Sequence, residues 1–98
     1  MISYTKPQDH GNIGLIVTGH ADYVPKGQDD IVCAAVSAIA QTAAMGVARY
    51  DAKANIQIAT DEGVAIACRD RPKTRAVIDT AVLGLDNIRK QYPQCFAQ

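Results

Sequence analysis

The sequence contains no CxxC pair and no HxxH pair. A structural zinc site, which needs closely spaced thiol or imidazole ligands, is therefore not expected. Its formal net charge is zero, which argues against a nucleic-acid binder held mainly through phosphate contacts. No basic stretch followed by an apolar run and small residues opens the chain, so no secretory leader is read there. The cysteines are an odd 3, widely spaced at Cys33, Cys68 and Cys95. Without a leader, that count predicts free thiols in a reducing cytosol and not a disulfide framework. Charge is also missing locally, since Ile31 to Ala48 holds no charged residue at all. The run is long enough to raise the question of a membrane span. It is dominated by alanine, has no leucine, and carries Ser37, Gln41, Thr42 and Gly46. Alanine gives little to membrane partition. The run therefore predicts a helix buried on two sides, one against a sheet and the other against a second helix or a partner subunit. Neither a membrane, a nucleic acid nor a cofactor is an expected partner.

A chain of 98 residues, 48% of them apolar, makes one domain, 1–98, whose modest core oligomerisation would supplement. Met1 to Lys6 reads as a strand with Ile2 and Tyr4 on one face. Pro7 to Asn12, PQDHGN, is dense in turn residues, and Ile13 to Thr18 reads as the returning strand. A loop follows from Gly19 to about Asp29, carrying Pro25 and Gly27. Asp29 or Asp30 is a good helix N-cap, and the uncharged helix then runs from Ile31 to Ala48. Ala54 to Thr60 and Gly63 to Arg69 form a second hairpin, turning at Asp61-Glu62-Gly63. Pro72 suits the first turn of a final helix, in which Val77, Ile78, Ala81, Val82, Leu85 and Ile88 recur at helical spacing. Pro93 ends it. The order is β-β-α-β-β-α. It predicts an α+β fold, an α/β sandwich with one mostly antiparallel sheet covered by helices. A homodimer built on the first helix is expected, with Val36, Ile39 or Met45 shared between core and partner. The small residues Ala40, Ala43, Ala44 and Gly46 are expected to allow close approach at that contact.

The chemistry concentrates between Gly19 and Ala38. His20 ends a strand and Cys33 sits in the first turn of the helix, with a short loop between them. A histidine near a cysteine is the minimum equipment for thiol nucleophilic catalysis. Unpaired N–H groups at a helix start favour a thiolate and are natural oxyanion donors. Against this stands the bland alternative that Cys33 is a small buried hydrophobe. Gly19 permits close backbone approach beside His20. His10 lies in a turn at the far end of the hairpin and is a poor candidate. Asp30 serves as a helix cap or as a partner orienting the imidazole, the cap being favoured; Ser37 shares a helix face with Cys33. Arg69, Arg71, Lys73 and Arg75 read as a solvated loop before they read as an RNA patch.

Gly19-His20-Ala21, a glycine-containing loop, then Asp30-Ile31-Val32-Cys33-Ala34 and Ser37 resemble the ribosomal-processing cysteine proteases of the Prp family. The pattern joins several fixed residues in one segment, and the likeness extends over the whole chain. The resemblance implies a small α/β homodimer that removes a short N-terminal extension from a large-subunit ribosomal protein. It implies Cys33 as nucleophile and His20 as base, with Gly19, Asp30 and Ser37 supporting or orienting and Gly27 and Ala34 expected to meet substrate. The loop after His20 is slightly longer than in family members. It is expected to act as a mobile lid. Alternatives are a prophage-encoded protease acting on phage structural proteins, a non-enzymatic dimeric ribosome-assembly or peptide-binding module, and a redox-responsive thiol protein.

Overall fold

A computed structural model describes residues 1–59 and 62–97. The sheet is built from β1 (Ser3–Thr5), β2 (Gln8–Asp9), β3 (Asn12–Thr18), β4 (Asn55–Ala59) and β5 (Gly63–Arg69). Strand order is β1-β3-β5-β4, with β2 also on β3, and all of these pairs are antiparallel. The helices are α1 (Ile31–Tyr50) and α2 (Pro72–Gln91), followed by a 3-10 turn at Pro93–Cys95.

The expected order holds with two additions. Inside PQDHGN, Gln8 and Asp9 pair with Ile13 and Asn12 as a short strand. The chain reverses there through His10 and Gly11, both left-handed at φ 49° and 81°, which is the turn that matches strand twist. Two residues are too few for alternation to be seen in sequence. The second addition is the tail. Ile2 N–H donates to the Cys95 carbonyl and Ala97 N–H to the Ile2 carbonyl, each at 2.8 Å, so Phe96 is buried beside β1. In the second hairpin, Thr60 and Asp61 of the expected strand end and turn lie outside the described residues.

β3 and β5 carry the core. Ile13 faces Cys68, Leu15 faces Ile66 and Val17 faces Val64 across the ladder, and all six side chains are buried. Alternation sends Ile16 to the opposite face, where it is exposed. Both helices cover the first face. α1 buries Val32, Val36, Ala40, Ala43, Ala44 and Val47, and α2 buries Thr74, Ile78, Ala81 and Leu85.

This corrects one expectation. Ala40, Ala43 and Ala44 are 1%, 3% and 3% exposed inside their own protomer, so these small residues bring α1 close to the sheet and to α2 and do not present themselves to a partner. A helix apolar on all sides gives no phase from which to read its inward face. Its outward residues include Ile31 and Met45.

Candidate active site

The site forms where β3 ends and α1 begins. Gly19 follows β3 at φ 90°, and a Cβ there would lie 2.0 Å from the Met1 carbonyl oxygen. Only glycine permits that approach. Across the ladder, Gly63 lets the backbone pass equally close, since its Cβ would lie 2.0 Å from the Val17 carbonyl oxygen. These two close passages leave room for a cavity of about 190 Å³. His20, Cys33 and Ser37 line it, together with Gly19 and Gly63. Its apolar lining is Ile2, Val17, Val36, Ala40 and Val64, all buried. His20 and Ser37 are exposed and Cys33 is half-buried.

Thus the structure brings together Gly19, His20, Cys33 and Ser37. Gly27 and Ala34 do not line the cavity. Gly27 stands in open space at φ 94°, in a turn closed by Gln28 N–H on the Pro25 carbonyl at 3.2 Å. Ala34 N–H donates to the Asp30 carbonyl, and the Ala34 side chain is exposed. His10 stands outside the site. It is paired with Asp9 at 2.9 Å and its side chain is 91% exposed.

Asp30 is the cap. Its Oδ1 accepts from the N–H groups of Val32 and Cys33, both at 3.0 Å. Its Oδ2 accepts from Tyr23 N–H in the loop at 2.9 Å. Burial alone would raise this carboxyl's pKa, but the bonds from Cys33, Tyr23, Val32 and Val24 outweigh it and hold it below the ordinary carboxylate value. Among the described residues no hydrogen bond joins Asp30 to His20, so its contacts are with backbone and not with the imidazole.

The same bonds alter the expectation for oxyanion donors. The N–H groups of Val32, Cys33 and Ala34 at the helix start are already engaged by Asp30. The backbone donor that reaches the sulfur comes from the loop: Ala21 N–H donates to Cys33 Sγ at 3.2 Å. A thiolate accepts such a bond more strongly than a thiol does. The other two thiols are placed differently. Cys68 and Cys95 are 4% and 1% exposed, and burial pushes both pKa values up.

Three contributors escaped the sequence reading: Ala21 through its N–H, and Tyr23 with Tyr92. The two rings meet edge to face, with centroids 5.3 Å apart and planes at 79°. Periodicity carries no signal for a contact between a loop and a helix end. Of the four basic residues only Arg71 lies in the connection expected as a solvated loop: Arg69 ends β5 and pairs with Asp51, and Lys73 and Arg75 lie in α2, where Arg75 pairs with Asp70.

No curated protein sequence matches the chain. Solved structures do share its fold. The essential ribosomal processing protease Prp from S. aureus, in complex with a covalently linked product peptide, is similar with a TM-score of 0.76 at 22% identity, over 99% of this chain and 96% of that one. SMU.848 from Streptococcus mutans is similar at 0.74 and 22% identity, over 99% and 90%. The S. aureus protease in complex with a substrate peptide gives 0.70 at 22% identity, over 99% and 96%. Identities this low speak for the fold alone. Kinship is decided by the family model for cysteine protease Prp, which matches residues 1–97, from the first strand through the buried tail. The chain belongs to the Prp family of cysteine proteases.

Proposed function

We propose that the protein is a cytosolic endopeptidase that removes a short N-terminal extension from a large-subunit ribosomal protein, with Cys33 as nucleophile and His20 as base. The observation that carries this reading is that Cys33, His20 and Ser37 line one small cavity. The S. aureus relative is described as a ribosomal processing protease and was solved with peptides.

In this reading His20 takes the thiol proton and Cys33 Sγ attacks the scissile carbonyl carbon. The tetrahedral intermediate collapses as the C–N bond breaks, and the imidazolium protonates the departing amine. A water, deprotonated by His20, then cleaves the thioester and returns the thiol. The Ala21 N–H supports negative charge at the sulfur. Val17, Val36, Ala40 and Val64 give the cavity an apolar wall against which a substrate side chain can pack.

Co-expression with the host's N-terminally extended ribosomal protein, followed by intact-mass measurement, tests the proposal. A mass loss equal to a short N-terminal peptide, absent with Cys33→Ala, is the expected result. An unshortened protein in both cases overturns it.

The enzyme works as a homodimer joined through the outer faces of α1 and α2. Support comes from an apolar groove of about 700 Å³ between the helices, lined by Ala38, Ile39, Ala76 and Val77 among others. Met45 and Leu83 add exposed apolar area beside it, at 67% and 69%. Leaving so much wet is unusual for a monomer. Charges belong on outward positions, because Ala43 and Val47 are core and would unfold the protomer. Ala38→Glu with Met45→Glu gives a folded monomer by light scattering. A wild-type monomer at micromolar concentration defeats the dimer.

A further inference from the structure

We infer that Tyr92 is a positioning residue for the Cys33 site, acting through Tyr23 on the loop that carries Ala21. The inference rests on the reading of Cys33 as the nucleophile and adds how its surroundings are held.

Tyr92 is a fixed post. Its N–H donates to the Ile88 carbonyl at 2.9 Å, closing α2, and its carbonyl accepts from Cys95 N–H at 3.0 Å. Its ring packs against the buried core. Tyr23 belongs to the loop and is 42% exposed, so the loop holds it only through what it touches. Its N–H is bound by Asp30 Oδ2 at 2.9 Å, and its ring meets Tyr92 edge to face. Two residues earlier in the loop, Ala21 N–H reaches Cys33 Sγ. Ala21 is itself 3% exposed and Asp22 pairs with the Met1 ammonium at 3.6 Å; the Tyr23 contacts add the hold on the outer side of this stretch, and through the short, stiff backbone between them help keep the donor at the sulfur. Tyr92 lies 59 positions from Cys33 in the sequence and does not line the cavity. It acts on the population of the closed loop and not on the reacting atoms.

A ring that only holds the closed loop changes how often the site is ready, which appears in KM, and leaves the closed complex as reactive as before. The full-length chain is compared with Tyr92→Ala, Tyr92→Phe and Tyr23→Ala. One readout is cleavage of a quenched fluorogenic peptide carrying the ribosomal protein's N-terminal extension. The other is amide hydrogen exchange at Ala21 and Tyr23. Tyr92→Ala is expected to raise KM roughly fivefold, the scale of one edge-to-face ring contact, with kcat within about twofold of wild type. Exchange at Ala21 and Tyr23 rises by a similar factor, while the amides of α1 stay as protected as before. Tyr92→Phe, which keeps the ring, restores both. Tyr23→Ala reproduces the KM change without touching α2, which covers the case in which Tyr92→Ala loosens the helix end. Unchanged exchange in Tyr92→Ala overturns the inference. So does faster exchange with unchanged KM, or a fall in kcat alone. If the wild type cleaves nothing, the protease reading fails by itself, and the exchange comparison still decides whether Tyr92 holds the loop.

Discussion

The two ends of the central ladder hold the same residue types and do different things with them. Around Gly11 and Arg69 stand His10, Cys68 and Asp51. Around Thr18 and Gly63 stand His20, Cys33 and Asp30. At the first end His10 is turned to solvent against Asp9, and Cys68 is sealed in the core, donating to the Ile13 carbonyl at 3.4 Å. Asp51 is committed to Arg69 and to the N–H groups of Arg69 and Lys53, which together hold its carboxyl far below the usual range. At the second end the thiol is half-open, accepts an N–H and shares a cavity with an exposed imidazole. What separates them is enclosure and the direction of backbone donors. A search for histidine, cysteine and aspartate in sequence finds both ends equally.

The sharpest test exchanges the thiols. Cys33→Ala is expected to abolish peptide cleavage with the fold intact by circular dichroism, while Cys68→Ala keeps it. Iodoacetamide near neutral pH labels Cys33 ahead of Cys68 and Cys95, because the latter two are buried. Equal labelling of all three erases the contrast.

The histidines come next. His20→Ala lowers turnover by roughly 100-fold or more, the scale of general acid–base catalysis, and His10→Ala leaves it unchanged. Steady-state kinetics on one peptide decides this, and the reverse ranking transfers the site to the other end.

Why one end was legible and its details were not follows from the range of the forces. Asp30 as cap, Pro72 at the first turn of α2 and the β3–β5 alternation depend on neighbours a few residues away, and each stands where local chemistry puts it. The contact of Tyr23 with Tyr92, the tail packed on Ile2 and the donor from Ala21 join segments whose separation is set only by the finished fold. Thr74 illustrates the boundary. It belongs to no motif in the sequence, yet it is 1% exposed, its hydroxyl accepting from Arg71 N–H and donating to the Arg69 carbonyl.

The aspartates give the smaller effects. Asp30→Ala costs about 1 kcal/mol of stability in urea melts, the usual value of a cap, and frees Tyr23 N–H to exchange. Acid acts on both ends with the same sign. Asp30 and Asp51 both have folded-state pKa values below the unfolded ones, so their stabilisation is complete above the ordinary carboxylate value and is lost as pH falls through the folded values. Urea midpoints are therefore expected to stay level from neutral pH to about pH 5 and to drop on further acidification. With Asp30→Asn that drop becomes shallower. A midpoint falling already between pH 7 and pH 6 contradicts the assignment.

Asp30 divides its oxygens. Oδ1 serves the helix and Oδ2 serves the loop. Lifting the loop breaks the Tyr23 bond to Oδ2, the Ala21 bond to Cys33 Sγ, the Asp22 pairing with the Met1 ammonium and the ring contact with Tyr92, and leaves both bonds to Oδ1 in place. On the proposed reading, peptide entry waits on a surface-loop motion, nanoseconds to microseconds, and not on fraying of the helix. The segment that must yield and the segment that must aim the sulfur share a carboxylate without sharing a fate.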